Sequence, residues 1–241
     1  MKKLDNVTLF GLDDVDINRL IQAEEICTKD FEFAKIKLLT SLDSDNSHVV
    51  KIEPVKSIRE YSEFILKKLN DYIDTDFVLL IQHDGFILNP DAWDDRFLEY
   101  DYVGAPLWKD GNYVVGNGGF SLRSKKLLEF LQKDENIFVP EISGEKYDLN
   151  EDWIICVQKR EYLESKGIRF APVDVAKKFS FESNEVDGAD WTDQFGFHGL
   201  KWTDISKWLK AHPEYKIDNP LDSWALRVQR RINNKNRDKN L

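Results

Sequence analysis

Apolar positions along this chain fall into two patterns, short continuous runs and stripes at helical spacing, and the two alternate. Val7–Leu12 (VTLFGL) has strand length. Asp13 and Asp14 follow it, and then Ile17, Leu20, Ile21 and Ile26 recur at helical spacing. Ala34–Leu42 predicts a second strand and Val49–Ile52 a short third. Ser57 with Glu60 is a capping-box pair that opens a helix through Tyr72, with an apolar stripe of Ile58, Tyr61, Ile65, Leu69 and Tyr72. Phe77–Ile81 (FVLLI) is apolar throughout, as a strand buried on both faces would be. It ends abruptly in Gln82-His83-Asp84-Gly85, before the triplet Phe86-Ile87-Leu88 leads into Asn89-Pro90. The alternation predicts an α/β fold, a mainly parallel mixed sheet flanked by helices.

Beyond Pro90 the pattern changes. Asp91–Tyr102 is rich in Trp, Asp and Tyr, and Val103–Trp108 follows it. Val114–Ser124 (VVGNGGFSLRS) places Gly116, Gly118 and Gly119 around Asn117 and then alternates as a strand. Ser124 caps a helix through Gln132. Asn150-Glu151-Asp152 opens another helix, Trp153 to Ser165. Ile168–Val173 predicts a short strand and Phe179–Glu182 a further one.

The size, 241 residues of which 41% are hydrophobic, suits one compact domain over 1–215 with a basic helical extension over 216–241. The formal net charge of -10 argues against a general nucleic-acid binder. Cys27 and Cys156 lie in helix-like apolar settings and read as reduced core residues. The N-terminal MKKLDNVTLFGLDD has no long apolar stretch, so no secretory leader is expected. No apolar run has the length to span a bilayer, and a cytoplasmic location is expected. The tail carries Arg227, Arg230, Arg231, Lys235, Arg237 and Lys239 against Asp238. Two readings of it stand: a solvated terminus, or a peripheral contact with an anionic membrane face.

Three stretches carry candidate chemistry. Asp84 stands at the carboxyl end of the central strand, where open α/β sheets bind ligands, beside a glycine that lets the backbone bend. Asp-Gly is equally a turn pair. Glu151 and Asp152 lie in a first helical turn, where the helix dipole favours carboxylates and where one of them could serve as a general base. In Phe195-Gly196-Phe197-His198-Gly199, His198 lies between aromatics and glycines, in an expected loop that could fold back over the site, and the flanking glycines let it reach a metal. The Gly-rich corner at 116–119 is neither GxGxxG nor a P-loop.

Taken in order, these stretches resemble the GT-A class of nucleotide-sugar glycosyltransferases, and in particular a bacterial family of predicted glycosyltransferases of surface-polysaccharide loci. The carriers of the resemblance are Gln82-His83-Asp84-Gly85, Gly116–Arg123, Glu151-Asp152-Trp153 and Phe195–Gly199, and it covers residues 5 to 205. It implies a single GT-A-like, Rossmann-like domain. It further implies that Asp84 and His198 hold a divalent metal, Mn²⁺ or Mg²⁺, on the donor diphosphate. Gln82, His83, Gly85, Asn117, Gly118, Gly119 and Trp153 would line the donor and acceptor pocket, and Phe10 and Gly11 would lie near the nucleotide base. Asp152 or Glu151 would take the proton from the acceptor hydroxyl. The chain departs from the Asp-x-Asp pattern at its first position, where Gln82 stands, which leaves Arg123 as a further source of positive charge.

The function expected is inverting, metal-dependent transfer of a sugar (galactose or galactofuranose) from a UDP-sugar to a glycan acceptor, free or lipid-linked, in polysaccharide synthesis. Two alternatives stay open: a non-catalytic nucleotide-sugar or glycan binding module, which Gln82 favours, and a nucleotidyltransferase, against which the acidic Val7–Asp16 stretch counts.

Overall fold

The computed structural model describes residues 1–141, 149–184, 186–217 and 232. In chain order its elements are β1 (Lys2–Leu12), α1 (Ile17–Thr28), β2 (Phe31–Thr40), β3 (Val49–Lys51), α2 (Ile58–Lys67), β4 (Phe77–Ile81), β5 (Tyr102–Gly104), β6 (Pro106–Lys109), β7 (Asn112–Val115) and β8 (Ser121–Ser124). Then come α3 (Lys125–Lys133), α4 (Glu151–Trp153), α5 (Arg160–Ser165), α6 (Val173–Phe179), β9 (Ser180–Glu182), β10 (Gly196–His198) and α7 (Ser206–Ala211). Among the described residues six strands form one sheet in the order β3-β2-β1-β4-β8-β5. The pairs β3·β2, β2·β1 and β1·β4 are parallel, and β8 runs antiparallel to both β4 and β5. The fold is therefore α/β, with a mainly parallel mixed sheet flanked by helices, as the sequence predicts.

The unbroken apolar run of β4 has a direct cause. Leu79 and Ile81 belong to the core cluster on the α1 side of the sheet. Val78 and Leu80 belong to the cluster that holds Phe64, Ile65 and Leu128 from α2 and α3. All four are fully buried, so no polar face is needed. Gly11 lets α1 close onto the sheet: a Cβ there would come 2.6 Å from Leu20. Both caps read from the sequence form, since Ser57 accepts from the N–H of Glu60 and Ser124 from that of Leu127. The Glu60 carboxylate accepts from Lys56 N–H, one residue upstream of a standard capping box.

Four differences from the sequence reading matter for the site. The helix expected over 153–165 is broken into α4, a π-helical stretch over Ile154–Gln158, and α5. The strand expected over Ile168–Val173 is an extended edge segment with one bridge, Tyr102 to Phe170, because Pro172 begins α6. The stretch 106–115 forms a two-stranded antiparallel ribbon, β6–β7. Gly196–His198 is a strand, pairing in parallel with β9. The expected extension over 216–241 lies outside the described residues apart from Lys216, Ile217 and Ile232, of which Ile217 packs against the core. Among the described residues no helix is long and apolar enough to cross a membrane.

Candidate active site

The carboxyl ends of β1 and β4 open onto the same edge of the sheet, and two tight loops and the β9–β10 pair complete the site. After β4 the chain reverses at once. Gln82 and Gly85 exchange two backbone hydrogen bonds of 3.0 Å, so Asp84 sits at the tip of a tight turn. Turn and site are thus compatible readings of Asp-Gly. The Asp84 carbonyl accepts from Gly199 N–H at 2.7 Å, which ties this turn to the residue after His198. Gly85 has to be glycine, because a Cβ would meet the Gly119 carbonyl oxygen at 2.7 Å and the His198 ring at 3.0 Å.

Asn117 shapes the facing loop. Its φ is +62, a conformation Asn tolerates better than most residues. Its side-chain oxygen accepts from the Gly119 N–H at 3.0 Å. The turn brings Gly119 under His198 and Gly118 under Glu151: a Cβ would lie 2.1 Å from His198 Nε2 and 2.2 Å from Glu151 Oε1 respectively. These two glycines make room for functional side chains of the protein itself.

His198 is held on every side. The parallel register of β9 and β10 sets His198 opposite Glu182, whose Oε1 lies 3.2 Å from Nδ1. Asn117 bonds the other Glu182 oxygen, and Trp202 Nε1 donates to Oε1 at 3.3 Å. On the far side of the ring, Nε2 is 3.2 Å from Gln82 Oε1, and Gln82 Nε2 donates to the Tyr61 hydroxyl at 3.0 Å. Burial opposes a charge on His198, yet Asp84, Glu182 and Asp152 outweigh it and raise the imidazole to about 9. His83 moves the other way, lowered chiefly by burial, with Asp84 opposing.

Asp84 is the least satisfied group in this cluster. Its Oδ1 is buried without a hydrogen-bond partner. It faces His198 Nε2 and His83 Nδ1 at 3.7 Å each, beyond hydrogen-bond reach. An orphan carboxylate oxygen beside an imidazole, with Glu182 and Asp152 adding negative charge, fits a divalent cation. Among the described residues no group of three or more His, Cys, Asp and Glu could hold a metal ion. A cation at Asp84 would find His198 Nε2 turned to Gln82 Oε1, so the ring would have to release Gln82 before it could serve as a ligand.

The two adjacent acids at the start of α4 have diverged completely. Glu151 is buried, and its Oε1 accepts from Arg123 NH2 at 2.7 Å. Arg123 is itself inaccessible to solvent and donates from Nε to Ser121. This closed pair removes Arg123 as a source of charge for a ligand and occupies the Glu151 carboxylate. Asp152 instead accepts Gly118 N–H at 2.9 Å and remains partly exposed. Burial first, then Glu151 and Glu182, push its carboxyl up to about 7.

Of the residues singled out in the sequence, Gln82, His83, Asp84, Gly85, Asn117, Gly118, Gly119, Glu151, Asp152 and His198 come together. Trp153 borders them, with Lys109 Nζ 5.1 Å from its ring centroid. Phe10 and Gly11 do not reach the cleft, since Phe10 is a fully buried core residue and Gly11 packs against Leu20. What β1 presents at its end is Asp13, which accepts from Val15 and Asp16 N–H and is bound through both oxygens by Arg19. The sequence reading missed Asp13, Arg19, Tyr61 and Glu182 as site residues. Glu182 had no local signal, because only the pairing of β9 with β10 aims it at His198. Asp13 had one, a carboxylate directly after the first strand.

A family model described as "Protein of unknown function (DUF5672)" matches residues 46–198. No curated protein matches the chain in sequence. Among solved structures, the galactosyltransferase LgtC in complex with donor and acceptor sugar analogs is 13% identical, with 89% of this chain and 98% of that chain covered and a TM-score of 0.45. An active-site mutant of LgtC is 14% identical over the same shares, with a TM-score of 0.47. The bifunctional IspDF from Campylobacter jejuni is 15% identical, covering 69% of this chain and 49% of that one, with a TM-score of 0.37.

Proposed function

The chain belongs to the DUF5672 family, described as a protein of unknown function, and from its site we propose transfer of a sugar from a nucleotide-sugar donor to a hydroxyl of a glycan acceptor. The observation that carries this reading is the pairing of two acids with opposite surroundings. Asp84 is a half-buried carboxylate whose Oδ1 lies without a hydrogen-bond partner next to His198, suited to the diphosphate end of a donor. Asp152 is a raised carboxyl at the start of α4, suited to a proton.

In the step proposed, the acceptor oxygen forms a bond to the anomeric carbon of the donor sugar from the face opposite the leaving group. The bond from that carbon to the diphosphate oxygen breaks, and its electron pair leaves with the nucleoside diphosphate. Asp152 accepts the hydroxyl proton as the oxygen attacks, which is general-base catalysis and inverts the anomeric centre. The base is Asp152, since the Glu151 carboxylate is closed off by Arg123. Asp84 would hold Mn²⁺ or Mg²⁺, joined by His198 once Nε2 has given up its proton and released Gln82, and the ion would supply Lewis-acid neutralisation of the departing diphosphate. Gln82 stands where that class has an acid, and its two hydrogen bonds, to Tyr61 and His198, orient the imidazole. UDP is the nucleotide proposed, galactose or galactofuranose the sugar, and a free or lipid-linked glycan the acceptor.

One specific observation supports a second reading. With Gln82 committed to protein partners, the site would grip a nucleotide sugar without turning it over. Calorimetry against a panel of nucleotide sugars, with and without Mn²⁺, tests the donor site. Incubation with acceptor glycans and mass spectrometry then separate the two readings. Metal-dependent binding lost in Asp84→Ala, with product formation lost in Asp152→Asn, is the result expected. Binding without product across acceptors sinks the transferase in favour of the binder, and no binding of any nucleotide sugar sinks both.

A further inference from the structure

We propose that Arg19 is a donor-binding residue whose guanidinium takes a phosphate oxygen of the nucleoside diphosphate, an assignment that rests on the transferase reading and names a further contact within that site. Asp13, Asp84, Asp152 and Glu182 converge on a cleft proposed to receive a dianionic or trianionic diphosphate, and like charges repel strongly in a partly desolvated site. The protein must set cations against them. Arg123 cannot serve, because it is fully buried and closed against Glu151.

Arg19 can. One Asp13 oxygen, Oδ2, joins it to the site: Arg19 Nε lies 2.6 Å from that oxygen, and His83 Nδ1 lies 3.8 Å from it. His83 Nδ1 in turn is 3.7 Å from Asp84 Oδ1. A continuous line of charged and polar groups thus runs from Arg19 to the acid proposed for the diphosphate. The Asp13 side chain is 5% exposed and that of Arg19 36%, so the anchor is internal while the guanidinium meets solvent. A guanidinium has five N–H donors in a rigid fork. Asp13 takes one from Nε and one from NH2, and among the described residues NH1 and the remainder of NH2 meet no hydrogen-bond acceptor. Asp13 is pinned by the N–H groups of Val15 and Asp16, so the fork is held in place before the ligand arrives. Charge neutralisation is then shared between the cation proposed at Asp84 and a fixed guanidinium, which offsets the weaker metal ligation that a neutral Gln82 provides.

The test measures UDP and inorganic pyrophosphate by calorimetry, and uridine by saturation-transfer NMR, on the wild type, Arg19→Met and Arg19→Lys. Removing a charge-assisted hydrogen bond predicts ~10–100-fold weaker UDP and pyrophosphate binding in Arg19→Met. Uridine binding is expected to stay near wild type while the ligand-free unfolding midpoint falls, because the buried Asp13 carboxylate loses its partner, and Arg19→Lys is expected to recover part of both losses. Equal weakening of uridine and UDP would show that Arg19 only supports the loop after β1, and undiminished UDP and pyrophosphate binding would remove it from the site. Wild-type protein that binds neither UDP nor pyrophosphate overturns the donor site itself, whereas wild-type binding that survives Arg19→Met overturns only the assignment of Arg19.

Discussion

Asp152→Asn changes the pH dependence of stability and of activity together, and both follow from one displaced proton. In the folded chain the Asp152 carboxyl is raised from 3.8 to about 7, by burial first and then by Glu151 and Glu182. The folded state therefore holds this proton more tightly than the unfolded state does. Across the interval from 3.8 to about 7, unfolding releases it, and stability falls as pH rises; above about 7 the term is flat. One proton corresponds to ~1.36 kcal/mol per pH unit, or at most ~2.7 kcal/mol between about pH 5 and about pH 7. Because solvent reaches part of this carboxyl, ~1–2 kcal/mol is the loss expected. The Asn variant lacks it. Any cost of placing an amide against Gly118 N–H is the same at both pH values and cancels in the comparison. Urea unfolding of both proteins at about pH 5, 6 and 7 should show the variant gaining on the wild type by ~1–2 kcal/mol, a rise of several degrees in relative Tm. Transfer by the wild type should rise with pH through about 7 as Asp152 ionises, and should drop ~10²–10⁴-fold in the variant. Parallel stability curves would mean that Asp152 is not held protonated at mild acid pH. Undiminished transfer in the variant would mean that it is not the base.

Other perturbations read different parts of the site. Arg123→Met or Glu151→Gln, each leaving a buried partner uncompensated, should cost ~3–5 kcal/mol in urea unfolding, while the double Arg123→Met, Glu151→Met variant should regain most of that. Gly119→Ala places a methyl 2.1 Å from His198 Nε2, so the imidazole NMR signals should move and donor binding should weaken. The control Gly111→Ala, at φ +84 with nothing within 4 Å, should cost only ~1 kcal/mol and leave both untouched. Asp84→Ala should abolish the Mn²⁺ enhancement of nucleotide-sugar binding in calorimetry; an enhancement that persists would place the cation elsewhere.

Local signals read well wherever a residue's neighbours along the chain decide its state. The Ser57 and Ser124 caps form because a hydroxyl two or three residues before a free N–H needs nothing else. The β4 run is buried on both sides because five apolar residues have no polar face to show, and its abrupt end marks the edge at which Asp84 stands. Three features escaped for the opposite reason. The break after α4 comes from a π-helical turn that no residue in 153–158 announces. The burial of Phe10 and Gly11 depends on α1 packing down through Leu20. The meeting of Glu182 with His198 depends on the register between strands that are fourteen residues apart.

Sequence alone therefore determined the α/β alternation, the central strand and the glycines, acids and histidine that gather at its end. Only the tertiary structure decided which acid does what. Glu151 and Asp152 are adjacent, with the same chemistry and the same favourable place at a helix start. One turns inward onto Arg123 and becomes part of the core; the other meets Gly118 N–H at the cleft and is raised to about 7. That division is set by burial and by the charges brought near from distant parts of the chain, since desolvation and Coulomb energy depend on distances in space.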